Sequence, residues 1–346
     1  MKIAIDISQV AYIGTGVAAY TENLVKNISK IDKNNKYILF GSSLRNTKII
    51  KDFCEEFKKY PNFSYKIFKF PPSFLSLLWN KMHVLPIENL IGKIDILHTS
   101  DWLEPPSRAL KVTTIHDMVI FADPKNTPEE IVSTMIKKLS WVAKETKKII
   151  AVSESTKKDI IKYLKVPQEK IEVIYEAASD IFKKTEIAKS DKYFLVVGAG
   201  RRKNLENIIA AFNLLNRKDI RLIITGRSMS HTNKLIKEIG FVEERELVNL
   251  YSGALALIYV PTYEGFGLPI LEALKCGCQV VTSNVSSLPE VGGEAVFYCD
   301  PESKEDIADK IKLSIASPKK GLEIQANKFS WEKAALETVK LYESLS

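Results

Sequence analysis

Two carboxylates and a glycine-rich turn stand together in the run Tyr263-Glu264-Gly265-Phe266-Gly267-Leu268-Pro269-Ile270-Leu271-Glu272. The apolar stretch 254–260 before it reads as a buried strand, and Pro269 suits the first turn of a helix. A strand, a glycine turn and a helix start present backbone N–H groups and the positive end of a helix dipole, which suits a phosphate. Glu264 in the turn and Glu272, about one helical turn beyond Pro269, can both accept hydrogen bonds from hydroxyls flanking such a phosphate. The plainer reading is a turn before a helix whose early Glu answers the dipole. The stretch alone leaves both open.

Five further landmarks fall in the order of a known family. They are Gly14-Thr15-Gly16 with Tyr20, then Thr114-Ile115-His116-Asp117, then Ile150-Ala151-Val152-Ser153-Glu154-Ser155-Thr156. Val197-Gly198 leading to Arg202-Lys203-Asn204 comes next, followed by Ser287-Leu288-Pro289-Glu290-Val291. With the run Glu-Gly-Phe-Gly-Leu-Pro-x-Leu-Glu-Ala they make the chain resemble the family-4 retaining glycosyltransferases, or group 1, over nearly its whole length. The resemblance implies an α/β chain of the GT-B fold, two Rossmann-like doubly wound domains facing across a cleft. It implies transfer of a hexose, of mannose or glucose type, from an NDP-sugar to a glycan or lipid-linked acceptor. The donor would be GDP- or UDP-linked, with no separate cofactor. A sugar-nucleotide epimerase on the same fold would turn over without acceptor. A non-catalytic sugar-nucleotide-binding subunit would have no need to keep Glu264, Glu272, Lys203 and His116 together.

Glycosyl transfer breaks the bond between C1 of a sugar and a diphosphate, building positive charge at C1 and negative charge on the phosphate. A metal on paired carboxylates or fixed positive groups can hold that diphosphate. The sequence has no Asp-x-Asp, so fixed charge and no metal site are expected. Arg202 and Lys203 supply the charge directly after Gly198-Ala199-Gly200; a solvated basic turn is the competing reading. By resemblance, Glu264 takes hydroxyls of the donor sugar and Glu272 the ribose. N–H groups of Phe266, Gly267 and Leu268 would hold sugar hydroxyl and phosphate oxygens. Gly240-Phe241-Val242 matches the base-contacting loop, with a plain buried turn as the alternative. His116 matches the histidine whose ring and carbonyl steady the sugar cation, against a structural histidine at a strand end. Gly14 and Gly16 match the glycine loop near the phosphates and acceptor, against a simple strand–helix turn. Two departures stand out. The loop before Lys203 is shorter than the common form, leaving both Arg201 and Arg202 open as the phosphate contact. The frequent Asn-Gly at the junction is here Glu176-Ala177-Ala178.

These residues need strands to hold them. Short β-branched runs alternate with longer amphipathic ones, the α/β pattern. Strands are expected at 3–7, 37–40, 65–70, 94–98, 112–116 and 148–152 in the first half. In the second half they are expected at 171–174, 193–197, 220–225, 254–260, 279–282 and 295–298. Helical periodicity covers 20–31, 129–143 and 205–215. Parallel sheets bind ligands beyond the carboxyl ends of their strands. His98, His116 and Ser153 fall at such ends in the first half, and Gly198, Gly226 and Glu264 in the second. The division expected is 1–175 on the acceptor side, 176–329 for the sugar nucleotide, and a helix 330–346 returning to the first domain. In that helix Ser330 reads as the N-cap, with Trp331, Ala335, Tyr342 and Leu345 on one face.

The 346 residues suit two domains, and 45% apolar with 27% charged residues is a soluble globular balance. No apolar run has membrane-spanning length, and Met1-Lys2-Ile3-Ala4-Ile5-Asp6 enters a strand rather than a signal peptide. Cys54, Cys276, Cys278 and Cys299 form no disulfide or zinc pattern and read as reduced thiols. A cytoplasmic place, with peripheral membrane contact, is expected. Residues 1–170 hold 27 basic against 18 acidic side chains, so the chain's net charge of +8 belongs to this half. No nucleic-acid motif accompanies it, so no nucleic-acid partner is expected. An anionic membrane, met through the mixed aromatic and lysine segment 70–81, is one expectation. A phosphate-bearing acceptor and a general lysine bias are others, and 70–81 also reads as a core helix.

Overall fold

The computed structural model describes all residues except 125–126, 187–191, 199, 227–232 and 346, and all their side chains except that of Arg201. The chain divides into two compact units, Met1–Glu176 with Trp331–Ser346, and Ala177–Ser330.

The first unit is built on a parallel sheet of seven strands. These are β1 Lys2–Asp6, β2 Lys36–Ser42, β3 Phe63–Phe68, β4 Ile96–Ser100, β5 Leu110–Ile115, β6 Lys148–Ala151 and β7 Ile171–Val173, in the order β3-β2-β1-β4-β5-β6-β7. The second unit has a parallel sheet of six, β8 Tyr193–Val196, β9 Arg221–Ile224, β10 Ile236–Glu238, β11 Ala256–Tyr259, β12 Gln279–Ser283 and β13 Phe297–Cys299. Their order is β10-β9-β8-β11-β12-β13. Helices cover both faces of such sheets, so central strands are continuous apolar runs rather than alternating ones. Ala256–Tyr259 is buried at all four positions.

Both sheets share one consequence of winding. The chain moves outward from the first strand of each unit, then crosses back to that strand's other side. The order therefore reverses between β1 and β4, and again between β8 and β11. Connections leave in opposite directions there, opening a crevice beyond the carboxyl ends of those strands. The residues after β8 and β11 are 197–204 and 260–267, the two stretches that carry the proposed donor chemistry.

The helix Trp331–Glu343 packs on the helix Gly16–Ile31 of the first unit. Trp331, Ala335 and Tyr342 lie on its buried face with Ala334, Thr338, Val339 and Leu341, while Leu345 lies past the helix end. Residues 171–174, listed among the second half's strands but lying before the expected boundary at 175, give β7, which pairs with β6 in the first sheet. Strand β10 was not anticipated, because three residues between turns carry no readable period; its pairing with β9 defines it. The segment 70–81 is not one helix. It breaks into Pro72–Leu75 and a wider π-type turn, Ser76–Lys81, with Leu75 and Trp79 in the core. All four cysteines are free and buried.

Candidate functional site

In the second unit the turn after β8 needs glycine at Gly198, where φ is +80°. The chain then tightens into Arg201–Lys203, with the Lys203 N–H donating to the Gly200 carbonyl at 2.9 Å. Ala199 and the Arg201 side chain lie outside the described residues. Asn204 takes a left-handed conformation before the helix Leu205–Leu214, and its amide donates to the Pro301 carbonyl at 2.7 Å. The Thr262 N–H donates to the Arg202 carbonyl at 3.0 Å, tying this turn to the one after β11.

That tie brings together side chains 61 positions apart. Lys203 Nζ lies 2.9 Å from Glu264 Oε2 and donates to the Tyr259 hydroxyl at 2.5 Å. The Tyr259 hydroxyl donates to the same carboxylate oxygen at 2.8 Å, closing a triangle. The ammonium also lies 4.6 Å from the centroid of the Tyr259 ring. Burial and the neighbouring carboxylate hold the Tyr259 phenol well above its usual pKa, so it remains a neutral donor. The lysine side chain is 26% exposed and that of Glu264 20%. Lys203 is thus not the solvated basic turn that sequence left as its competitor.

Past Glu264 the chain is fixed from below. Ser287 Oγ donates to the carbonyls of Glu264 and Phe266, at 3.1 and 2.7 Å. Gly267 has φ of +114°, and a Cβ there would meet Leu288 at 2.9 Å, so both backbone and space require glycine. The helix Leu268–Lys275 starts here with Pro269 in its first turn. Phe266 is buried edge-on against Phe329. Glu272 accepts from the hydroxyl of fully buried Tyr251 at 2.9 Å. Burial lifts its carboxyl from 4.5 to about 7, against the Tyr251 hydrogen bond and the charge of nearby Lys203.

The loops after β9 and β10 also join, the Gly226 N–H donating to the Gly240 carbonyl at 2.6 Å with both glycines at positive φ. Phe241 beyond them is 67% exposed and Val242 half-buried. The plain buried turn is therefore excluded there, and an exposed flat ring suits stacking on a base.

In the first unit Gly14 has φ of +81°, while Gly16 is the first residue of the helix Gly16–Ile31 and has no such need. Thr15 caps that helix, its Oγ1 accepting from the Ala18 N–H at 3.3 Å. His116 follows β5 with Nδ1 2.9 Å from Glu176 Oε1. The edge of Tyr20 meets its ring with centroids 4.6 Å apart. Nε2 is buried and has no hydrogen-bond partner among the described residues. Burial works against the imidazolium, but Glu176, with Asp101 and Asp117, outweighs it and holds the His116 pKa above 6.5. His98 is different. Its ring is enclosed between the Tyr342 hydroxyl at 2.5 Å and Thr114 at 2.8 Å, and burial pushes its pKa down to about 3. It is a core group that ties the last helix to the sheet. Ser153, the third residue expected at a strand end, caps the helix Glu154–Leu164.

Sequence reasoning missed Tyr259 and Tyr251, which look like ordinary core aromatics until the fold sets them against Glu264 and Glu272. Glu176 stood out only as a departure at the junction, and it is the partner of His116.

Comparison with known proteins covers both units. Residues 14–178 match the family model described as Glycosyltransferase Family 4, and residues 177–331 the one described as Glycosyl transferases group 1. The chain is 28% identical to O-antigen chain mannosyltransferase B of Escherichia coli, with 100% of each chain covered. It is 30% identical to an O-antigen chain mannosyltransferase of Salmonella typhimurium over 58% of this chain and 59% of that one. Among solved structures, sucrose-phosphate synthase from Thermosynechococcus elongatus matches with a TM-score of 0.73 at 16% identity, covering 100% of this chain and 99% of that chain.

Proposed function

The chain belongs to the group 1, family-4 glycosyltransferases of GT-B fold, and from that premise we propose that it transfers a mannosyl group, with retention and without a metal, from an NDP-sugar to a glycan or lipid-linked acceptor. The observation that carries this reading is the Lys203–Tyr259–Glu264 triangle at the point where the second sheet reverses its order. A cation, a neutral phenol and a carboxylate meet where a sugar diphosphate would present phosphate oxygens beside hydroxyls. The curated relatives at 28% and 30% identity are mannosyltransferases, which favours mannose over glucose. The base, guanine or uracil, would stack on Phe241.

In this mechanism the departing diphosphate gathers charge as its bond to C1 lengthens. Lys203, Arg202 and the first N–H groups of the helix Leu268–Lys275 answer that charge. Glu264 accepts from donor-sugar hydroxyls and Glu272 from the ribose. His116, whose Nδ1 is committed to Glu176, takes the role beside the sugar that the resemblance implies. Neither glutamate becomes covalently bound to the sugar.

The test is turnover of a panel including GDP-mannose and UDP-glucose, with and without glycan acceptors, in EDTA and in excess magnesium. Acceptor-dependent transfer, unchanged by chelation and giving by NMR a product with the donor's anomeric configuration, is expected. Inversion, or activity lost in EDTA and restored by magnesium, would overturn the mechanism. Turnover without any acceptor would point to the epimerase.

A further inference from the structure

We infer that Tyr20 is a positioning residue for His116, and that the last helix sets its seat through a buried chain of side chains. The inference rests on the reading above, in which His116 stands beside the donor sugar. A single hydrogen bond fixes one atom of an imidazole, not its plane. Nδ1 of His116 is held by Glu176 Oε1 at 2.9 Å, and the ring could still turn about that bond. Tyr20 removes this freedom. Its ring stands at 84° to the imidazole with centroids 4.6 Å apart. Trp331 packs on the same tyrosine ring at 5.6 Å, and both aromatics are buried, so neither has room to swing.

The tyrosine is itself fixed at both ends. Thr15 caps the helix Gly16–Ile31 directly after the Gly14 turn, so Tyr20 enters one turn from a set starting point. Leu24 and Ile28 continue its buried face at four-residue spacing. At the other end its hydroxyl lies 3.0 Å from Thr114 Oγ1. Thr114 and His116 are two residues apart at the end of β5, a spacing that strand alternation puts on one side of the sheet. One tyrosine therefore meets both, with its hydroxyl on the first and its ring on the second.

From Thr114 the chain of contacts runs back to the last helix. Thr114 Oγ1 also lies 2.8 Å from Nε2 of His98, whose Nδ1 meets the Tyr342 hydroxyl. Burial pushes the His98 pKa down to about 3, so this imidazole is neutral. A neutral imidazole has one N–H, so it donates on one side and accepts on the other. Tyr342, His98, Thr114 and Tyr20 thus form one directed chain that carries alignment and no charge. Packing alone asks for none of it. Phenylalanine at 20 and 342 and valine at 114 would fill similar space without the cost of burying hydroxyls. What the hydroxyls add is a fixed angle for the ring that faces His116.

The experiment pairs transfer kinetics with NMR of the His116 Nδ1–H proton in the full chain, the signal being assigned with His116→Gln. Tyr20→Leu should lower kcat by roughly 10–100-fold, as misplacement of a group beside the reacting atoms does, and leave the donor KM nearly unchanged. Its Nδ1–H proton should exchange with water faster. Tyr20→Phe keeps the ring and should recover most of the rate, with a smaller change in the proton signal. Tyr342→Phe should move that signal in the same direction, although three side chains separate its lost hydroxyl from His116. Should Tyr20→Leu fail to fold, Tyr20→Phe carries the comparison. A signal and a kcat that stay at wild-type values in the Tyr20 variants overturn the inference and leave Tyr20 a packing residue. An unmoved signal in Tyr342→Phe overturns the part given to the last helix. Wild-type transfer by His116→Ala would instead overturn the reading of His116 itself, whatever the Tyr20 variants show.

Discussion

Lys203→Ala separates the chemical role of this lysine from its structural one. Sequence alone makes Lys203 a loop residue whose removal leaves stability untouched; the structure gives it two partners and buries three-quarters of its side chain. At 2.9 Å from Glu264, a unit charge pair at an effective dielectric of 20 is worth about 6 kcal/mol before desolvation. Desolvation offsets most of that. Truncating one partner at this intermediate burial should then cost about 1–3 kcal/mol, between the exposed and buried limits. For a unit of this size the fall in Tm is about 2–10 °C. The rate should suffer separately. Loss of one preorganised positive group facing a developing anion costs ~10²–10³ in kcat, roughly 3–4 kcal/mol. The assay is donor turnover below the variant's unfolding temperature, beside a melting curve. Lys203→Arg should recover stability better than rate, since a planar guanidinium keeps the charge but not the fit to Tyr259. A Lys203→Ala enzyme that melts early but turns over within a few-fold of wild type would refute the catalytic role and leave only the structural one.

Glu272 predicts a pH effect of definite sign. Its folded pKa of about 7 lies above the ordinary 4.5, so between those values the folded chain holds a proton that the unfolded chain has released. Stability should therefore decline as pH rises through that window, by at most ~3 kcal/mol, and Glu272→Gln should flatten the slope in denaturant titrations. Donor affinity should move the other way, strengthening as pH passes 7 and the carboxylate becomes a full acceptor for ribose hydroxyls; calorimetry across that range that shows no change would remove the ribose role. His116, whose pKa is held above 6.5 by Glu176 against burial, contributes stability present below 6.5 and lost as pH rises through the folded value. Glu176→Gln should lower the His116 titration midpoint in NMR and abolish that loss; an unmoved midpoint would show that the pair is incidental. Tyr342→Phe deletes the hydroxyl that meets His98 Nδ1 and should destabilise by about 1–3 kcal/mol through an unpaired buried nitrogen, read as a lower denaturant midpoint.

Much of the fold was legible because parallel strands are buried on both faces and announce themselves as apolar runs. Residues 254–260 and 279–282 could be placed on sequence alone. What sequence could not supply was pairing. Residues 171–174 carry no mark of the sheet they join, and β10 is too short to show a period. The same limit governs the site. Glu264, Glu272 and Lys203 belong to local motifs and can be singled out from sequence; Tyr259, Tyr251 and Glu176 bond to partners 5, 21 and 60 positions away, and only the fold brings them there. A tyrosine at the end of a buried strand has no local signature that separates a packing role from a hydrogen-bonding one.

The triangle also bears on how the site can be ready before its substrate arrives. A lone lysine among oriented N–H groups at a helix start would raise local positive potential and cost stability. Glu264 and Tyr259 remove that cost in the free enzyme. When a donor enters, its sugar hydroxyls can take the remaining acceptor capacity of the carboxylate while Lys203 keeps a donor for the phosphate. An ammonium has three N–H groups, and Tyr259 and Glu264 use two. The third is enough for one phosphate oxygen without dismantling the pair. Electrostatic preorganisation of this kind needs no large side-chain movement at the moment of bond breaking, which is when movement would be most expensive. It also explains why the carboxylate and the lysine belong to turns on two different strands: tied by the Thr262–Arg202 backbone bond, neither can drift without the other.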